Sequence, residues 1–257
     1  MTPPPPAVSI LPARTALYAG MERHEGRLRG VCFWRSAMKA AETREFFNRL
    51  AEEWDSRIKP DFVDRLREIL AELTLREGAS VLDVGTGTGI ALPFLLGRVG
   101  LSGSVTAVDI SERMLEVARI KLSAPNLHYV RADVASLPFL DESFDLVLCN
   151  SCFPHFHDRE SAVSEMYRVL RPGGMAVVCA SESREEVNAV HRKTGGPVQC
   201  HLLPEGKELE MLFLRLGFRF VEITDRPDRF VLKAVKPLHH KGISQGQGTR
   251  GENSSLS

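Results

Sequence analysis

The sequence predicts an α/β fold in which helices cover both faces of a mostly parallel β-sheet. Apolar runs of strand length alternate with helical patterns over most of the chain, and strands separated by helices pair in parallel. A glycine-rich turn, VLDVGTGTG, follows the first of these runs. The end of the chain differs, because two strand patterns there are separated only by a turn, which is typical of an antiparallel hairpin.

The predicted elements follow one another in a regular order. The runs VLDV, SVTAVDI and FDLVLCN each precede a helical pattern, namely GIALPFLLGRV, SERMLEVARIKL and RESAVSEMYRVL, while LHYVRAD and GGMAVVCA are further strands. Ser111 is suited to cap the second helix, and Arg171 to Gly174 end the third, since proline and glycine do not continue a helix. The amphipathic helix PEGKELEMLFLRLGF then leads to the hairpin strands FRFVEI and RFVLKAV.

One main domain is expected over residues 38–237, because 257 residues suffice for one sizeable core. Residues 1–37 hold a proline run with little periodicity, and we interpret them as a disordered extension or as the product of an upstream start codon chosen in error, with Met38 as the true start. Residues 238–257 are expected to form a flexible tail. Residues 181–204 make a connection longer than usual, which we interpret as a substrate lid.

Composition disfavours several classes of function. The 33 basic and 33 acidic residues balance, so the chain lacks the positive charge with which proteins hold nucleic acid. No apolar stretch is long enough to span a membrane and the N-terminus lacks the order of a secretory signal, so we expect a cytoplasmic protein. The five cysteines are an odd number, and we expect reduced thiols and no bound metal.

Three glycines, Gly85, Gly87 and Gly89, follow the strand that carries Asp83. Glycines at such a turn let a ligand approach the main chain, and the N-terminus of the next helix offers free N–H groups to an anionic group. The G-x-G-x-G spacing differs from the G-x-G-x-x-G of dinucleotide folds, and the chain has no P-loop. The loop therefore predicts a ligand that needs no phosphates; a tight turn without a ligand is the alternative.

Two further acids follow predicted strands. Asp109 stands at the distance from the glycines where an acid meets a ribose, and its two oxygens can accept hydrogen bonds from both hydroxyls of an unphosphorylated sugar. Asp133 ends the next strand, where it can accept from an adenine amino group. Alone, Asp133 is better explained as a turn residue or a helix cap. Together with Asp83, the three acids favour a nucleoside site.

This ordered set of motifs resembles the class I S-adenosylmethionine-dependent methyltransferases. The similarity covers about residues 46–235: VLDVGTGTG is similar to the family's first motif, VTAVDIS to its second, RADVASLPFLDESFDLVLCN to its third and fourth, and RVLRPGGMAVV to the segment that follows. The resemblance implies a doubly wound, seven-stranded sheet with an antiparallel last strand, in agreement with the terminal hairpin. It also implies S-adenosylmethionine as the cofactor.

The resemblance further implies roles for individual residues. The loop Gly85, Thr86, Gly87 and Gly89 would hold the methionine part of the cofactor, with Asp83 supporting its ammonium group. Asp109 would bind the ribose. Other positions would border the adenine and the methyl group: Ile110, Met114, Asp133 and the Val134 N–H at the adenine, and Asn150, Ser151 and Phe153 at the methyl group.

Methyl transfer needs few catalytic residues, because a sulfonium already carries a good leaving group. The protein mainly aligns the acceptor and excludes water. Asn150 and His155 are our candidates for catalytic residues, with His155 as the general base if the acceptor arrives protonated. Capping of the next helix explains His155 equally well, and His157 is the weaker candidate.

The acceptor side has four further candidates. Trp54 ends an N-terminal helical pattern whose Phe46 and Phe47 are explained at least as well by core packing. His191, Cys200 and His201 belong to the predicted lid, although solvated surface is the better explanation for each of them singly.

We expect methyl transfer to a small molecule. The segment NSCF lacks the two prolines of DNA adenine methyltransferases, which disfavours that substrate. An NAD-dependent oxidoreductase is an alternative that the glycine spacing and Asp83 disfavour, and a non-catalytic module that binds S-adenosylmethionine is another.

Overall fold

The computed structural model describes residues 39–194 and 196–238. Its strands are β1 (Ser80–Val84), β2 (Ser104–Asp109), β3 (Leu127–Arg131), β4 (Phe144–Asn150), β5 (Leu170–Ala180), β6 (Arg219–Arg226) and β7 (Arg229–Val235). They form one sheet in the order β3-β2-β1-β4-β5-β7-β6, in which only the pairs that involve β7 are antiparallel. The predicted fold class is therefore confirmed. The predicted extension over residues 1–37, and the predicted tail apart from residue 238, lie outside the described residues.

Helices cover both faces of this sheet. The first, α1, comprises residues 39–50 and continues into a 3₁₀-helix, Ala51–Arg57. The others are α2 (Pro60–Ala71), α3 (Leu92–Val99), α4 (Glu112–Lys121), α5 (Arg159–Val169), α6 (Arg184–Thr194) and α7 (Gly206–Arg215), with short 3₁₀-helices at Phe153–His155 and Gly196–Cys200. None of the helices in the described ranges combines the length and the apolar character needed to cross a bilayer.

Local signals fix most element boundaries. Ser111 caps α4, as predicted, by accepting a hydrogen bond from the Met114 N–H. The segment Arg171–Gly174 does not itself end a helix: α5 stops at Val169, and β5 already begins at Leu170. The reason is sheet pairing, since Leu170 pairs with Phe144 and the Gly173 N–H donates to the Lys236 carbonyl. Likewise β6 extends to Arg226, which shortens the predicted terminal turn.

The core consists of two apolar layers on opposite faces of the sheet. Because side chains alternate along a strand, neighbouring residues of β1 contribute to different layers. Leu82 packs in the layer that includes Phe213 of α7, whereas Val81 packs in the layer that includes Leu95 of α3. Burial of both faces leaves the carboxyl edge of the parallel strands as the place where polar side chains can gather.

The N-terminal segment is tied to this edge by polar contacts. Asn48 of α1 accepts a hydrogen bond from the Ser111 hydroxyl at 2.6 Å and donates to Glu112 at 3.0 Å. Asp55 accepts from the Thr88 hydroxyl of the glycine loop and from Lys121 of α4. These contacts hold α1 and its 3₁₀ extension beside the loop that follows β1.

The space around two glycines, Gly103 and Gly97, differs and predicts opposite effects of an added side chain. A Cβ at Gly103 would lie 2.6 Å from both the Ala79 carbonyl oxygen and the Val99 Cβ, whereas a Cβ at the exposed, helical Gly97 would meet nothing within 4 Å. Gly103→Ala should therefore lower the free energy of unfolding by roughly 1–3 kcal/mol, and Gly97→Ala should raise it by about 0.5–1 kcal/mol. Urea unfolding of both variants measures the difference; equal midpoints would contradict this packing.

Candidate functional site

A cavity of about 400 Å³ lies at the carboxyl edge of the sheet. The segments that follow β1, β2, β3, β4 and β5 form its floor, and residues of α1, the adjoining 3₁₀-helix and α6 form its opposite wall. Most of the side chains predicted for the site line this one cavity: Trp54, Thr86, Asp109, Ile110, Met114, Asp133, Val134, Asn150, Ser151, His155 and His191, together with the backbone of Gly85 and Gly87.

The glycine loop owes its shape to positive backbone angles, with φ of 64° at Gly85, 56° at Gly87 and 85° at Gly89. A Cβ at Gly85 would lie 2.5 Å from the Cys152 side chain, so this position cannot carry a side chain unless Cys152 moves. A Cβ at Gly87 would have only the Trp54 ring nitrogen within 4 Å, at 4.0 Å, so the cavity is open above it. Gly89 does not line the cavity; its place is in the packing against Leu92.

Asp109 connects the ends of β1 and β2. One carboxylate oxygen accepts from the Gly87 N–H at 2.9 Å and the other from the Ser111 N–H at 2.8 Å. Burial raises the pKa of Asp109 to about 6, although these backbone N–H groups oppose the shift. Because Asp109 also lines the cavity, its carboxylate can accept further hydrogen bonds from the hydroxyls of a ligand.

Asp83 lies one layer behind the cavity wall. Only 1% of its surface is exposed, and its carboxylate accepts from the Thr86 hydroxyl at 2.6 Å. Burial raises the pKa of Asp83 to about 7, and the nearby Asp109 carboxylate adds to the shift. Asp83 therefore does not line the cavity as expected, whereas Thr86, which donates to it, does.

Asp133 has a protein partner inside the cavity. One oxygen lies 3.4 Å from the His157 Nε2, and the other accepts from the Ala135 N–H at 2.9 Å. His157, which the sequence ranked below His155 as a base, also lines the cavity. His157 and Ala135 thus hold the Asp133 carboxylate from two sides on the floor of the cavity.

The turn after β4 places polar and sulfur groups together. Asn150 and Ser151 line the cavity, and Ser151 adopts a positive φ of 55°. Cys149 and Cys152 are spaced as a C-x-x-C pair, which the sequence interpretation overlooked, and their sulfur atoms lie 2.9 Å apart as free thiols. Phe153 does not border the cavity as expected. It is fully buried, and its ring packs against Phe156 and Phe213.

Three histidines, two of which line the cavity, meet beside its wall. The Nδ1 atoms of His155 and His201 lie 3.2 Å apart, and the His191 ring contacts that of His155 with centroids 4.8 Å apart. Burial lowers the pKa of all three imidazoles, that of His155 well below its usual range. His201 and Cys200, the other two acceptor-side candidates of the predicted lid, do not line the cavity: His201 lies behind His155, and Cys200 is exposed, as the alternative of solvated surface implied.

Several other residues line the cavity that were not predicted from the sequence. They are mostly apolar or aromatic, and include Phe62, Phe156, Val187, Val190 and Val198, with Arg57 and Glu182 as the charged members. Glu182 is the second residue after the end of β5, so the rule that ligand-binding residues follow parallel strands could have identified it. The described residues contain no group of three or more His, Cys, Asp or Glu side chains arranged to hold a metal ion.

Comparison with known proteins bears on this geometry. Residues 82–178 match a family model described as "Methyltransferase domain". The chain is 33% identical over 176 residues to a demethylmenaquinone methyltransferase of Staphylococcus epidermidis, covering 66% of this chain and 70% of the relative. It is also 33% identical to a ubiquinone/menaquinone biosynthesis C-methyltransferase of Vibrio vulnificus, over 66% and 68% of the respective chains.

Solved structures show the same architecture. A SAM-dependent methyltransferase from Aquifex aeolicus superposes with a TM-score of 0.60 at 24% identity, covering 72% of this chain and 98% of its own. A phosphoethanolamine N-methyltransferase of Haemonchus contortus in complex with S-adenosyl-L-methionine gives a TM-score of 0.56 at 19% identity, covering 68% of this chain and 52% of its own.

The buried Asp83 predicts how stability depends on pH. Its pKa rises from an ordinary 3.8 to about 7 on folding, so the folded state holds a proton that the unfolded chain has lost. The stability that comes from this group is present below pH 3.8 and is lost as the pH rises through about 7. In the ligand-free protein, Asp83→Asn should reduce this loss, because a neutral amide replaces the titrating carboxyl.

Urea unfolding at several pH values between about 4 and 8 measures this effect. Asp64→Asn is the matched control, since Asp64 is an exposed acid on α2 that pairs with Arg67. A pH dependence that is the same in Asp83→Asn and in the unmodified chain would contradict the prediction.

Proposed function

Because the chain belongs to the class I S-adenosylmethionine-dependent methyltransferases, we propose that it transfers the methyl group to a small-molecule acceptor bound under α1 and α6. The observation that carries the proposal is the continuity of one cavity, which runs from the glycine loop and Asp109 to the imidazoles of His155 and His191. A cofactor and an acceptor can therefore meet inside it.

The residues at the floor fit the cofactor. The open space above Gly87 admits a ligand against the main chain, and the Asp109 carboxylate offers its remaining acceptor capacity to the hydroxyls of a ribose. Ile110 and Met114 supply apolar surface for the adenine, with Asp133 and the Val134 N–H at its edge. Thr86, which donates to the buried Asp83, would contact the methionine part.

The opposite wall supports a small, largely apolar acceptor. This wall is built from aromatic and aliphatic side chains, among them Phe47, Trp54, Phe62 and Val190. The volume of the cavity lies in the range of small-molecule sites. The relatives from Staphylococcus and Vibrio are named for the methylation of quinones, and a ring compound of that kind suits such a wall. The balanced charge of the chain argues against a nucleic acid.

Bound S-adenosylmethionine supplies a methyl group on a positively charged sulfur, ready for in-line displacement. The chain's own residues would align the acceptor, exclude water and handle a proton. Asn150, at the end of β4, would orient the acceptor near the methyl group. His155 would take a proton at its imidazole. Because burial lowers the pKa of His155, its imidazole is neutral at pH 7 and has a free nitrogen that can accept a proton.

We further propose that residues 181–204 act as a lid within a domain of residues 38–237. α6 supplies Val187, Val190 and His191 to the cavity wall, so its position decides how closed the acceptor side is. The free thiols of Cys149, Cys152, Cys179 and Cys200 support a reducing, cytoplasmic location.

Replacing the ribose-binding acid tests the cofactor site. Asp109→Asn should weaken binding of S-adenosylhomocysteine roughly 10- to 100-fold, because hydrogen bonds to a charged group contribute about 1.5–3 kcal/mol. Isothermal titration calorimetry gives the dissociation constants, with Asp64→Asn as the control. Unchanged affinity in Asp109→Asn would contradict the assignment of Asp109.

Product identification tests the acceptor class. Protein incubated with S-adenosylmethionine labelled in its methyl group and a metabolite extract, or a demethylated quinol, should yield a labelled compound of low mass, found by mass spectrometry. Label that enters only nucleic acid or protein would refute the small-molecule proposal.

A further inference from the structure

The histidine cluster has an inner and an outer side. His155 and His191 line the cavity, whereas His201 lies behind His155, partly exposed, on the segment that follows the Gly196–Cys200 helix. The Nδ1–Nδ1 distance of 3.2 Å between His155 and His201 is that of a hydrogen bond. The two rings thus form a continuous polar connection from the acceptor side of the cavity towards solvent.

Hydrogen bonding restricts which nitrogens carry protons. A backbone carbonyl can only accept, so the His191 Nδ1 donates to the His201 carbonyl oxygen, and a neutral His191 has a bare Nε2. In the His155–His201 pair one Nδ1 donates and the other accepts. When the His155 Nδ1 donates, the His155 Nε2 is unprotonated and His201 carries its proton on Nε2.

From this arrangement we propose that His155 and His201 form a proton path out of the cavity, and that the acceptor is a compound that loses a proton when it is methylated. Phenols, alcohols and hydroquinone rings belong to this class, whereas thioethers and tertiary amines do not. The inference rests on the proposed function and names the acceptor chemistry of that same site.

The proton balance of the path is closed. A bond forms between the methyl carbon and the acceptor atom, the methyl–sulfur bond breaks, and its electron pair stays on sulfur. The acceptor's proton goes to the His155 Nε2, the proton on the His155 Nδ1 passes to the His201 Nδ1, and the His201 Nε2 releases its own proton to water. One proton leaves for each methyl group transferred, and no oxidant or metal is needed. Both rings end in the opposite tautomer, and exchange with water after product release returns them to the starting one.

The surroundings favour passing the proton on over keeping it. Arg159 of α5 and the imidazoles of His191 and His201 oppose a positive charge on His155, and Arg159 and Lys39 of α1 oppose one on His201. From α1, Phe47 adds an uncharged ring, 4.9 Å from that of His155. Protonated imidazole is thus disfavoured, in line with the lowered pKa of both rings.

His201→Gln tests the path, because glutamine keeps hydrogen-bonding capacity but cannot relay a proton. His128→Gln is the matched control, since His128 is exposed on β3, outside the cavity wall. With the acceptor found in the labelling experiment, His201→Gln should lower kcat at neutral pH at least about 10-fold, with partial recovery at higher pH as hydroxide removes the proton. KM and the affinity for S-adenosylhomocysteine should not change. An unaltered pH profile of kcat, or a product methylated on a thioether or tertiary amine, overturns the proposal.

A second measurement needs no turnover. Nitrogen-15 NMR of the histidine rings should show His155 and His201 coupled in the ligand-free protein, each neutral at pH 7, with one proton shared between the two Nδ1 atoms. Two rings that titrate independently near their ordinary pKa overturn the path whatever the substrate is. If calorimetry shows cofactor binding but no small molecule accepts the label, the proposed function fails while the NMR result still decides the pairing.

Discussion

The site depends on the way one carboxylate joins two chain segments. Asp109 ends β2, yet its oxygens accept from the backbone of the glycine loop after β1 and from the N-cap residue of α4. Both N–H groups lie at places where the chain turns and has no regular partner for them. The same residue therefore fixes the loop, starts the helix and still faces the cavity. A substitution of Asp109 therefore changes both the shape of this edge of the sheet and the affinity for a ligand.

Concentrating acids at a buried edge carries a cost in the empty protein. Asp83 and Asp109 are both desolvated, and the charge of Asp109 contributes to the raised pKa of Asp83. The hydrogen bonds from Thr86 and from the loop backbone offset this only in part. A ligand with positive groups relieves the remaining repulsion, so the cluster is suited to a cationic nucleoside and poorly suited to one bearing phosphates.

The sequence predicted the fold, and it predicted that the glycine loop and the acids after β2 and β3 lie together at one cavity, because both depend on local order along the chain. Alternating strands and helices, glycines after a strand and acids after the next two strands are all visible as short patterns. The acceptor side depends on contacts between distant segments. Phe62 and Val187 reach the cavity only through the way α2 and α6 pack, and no spacing distinguishes them from core residues. The pairing of His155 with His201, 46 residues apart, was equally invisible. Phe153 and Asp83 differ for a related reason: Cys152 and Thr86, which lie close to them in sequence, line the cavity, whereas Phe153 and Asp83 themselves are buried.

The tight fit between Gly85 and Cys152 limits how the cavity of this chain can be engineered. Two turns from different parts of the sequence share one small volume, with a Cβ at position 85 placed 2.5 Å from the cysteine side chain. A side chain at position 85 therefore requires a smaller residue at position 152, and the positive φ of 64° strains any L-residue at position 85 even then. A smaller residue at position 152 meets no such limit, so a mutant library can vary the shape of this part of the cavity wall far more readily at position 152 than at position 85.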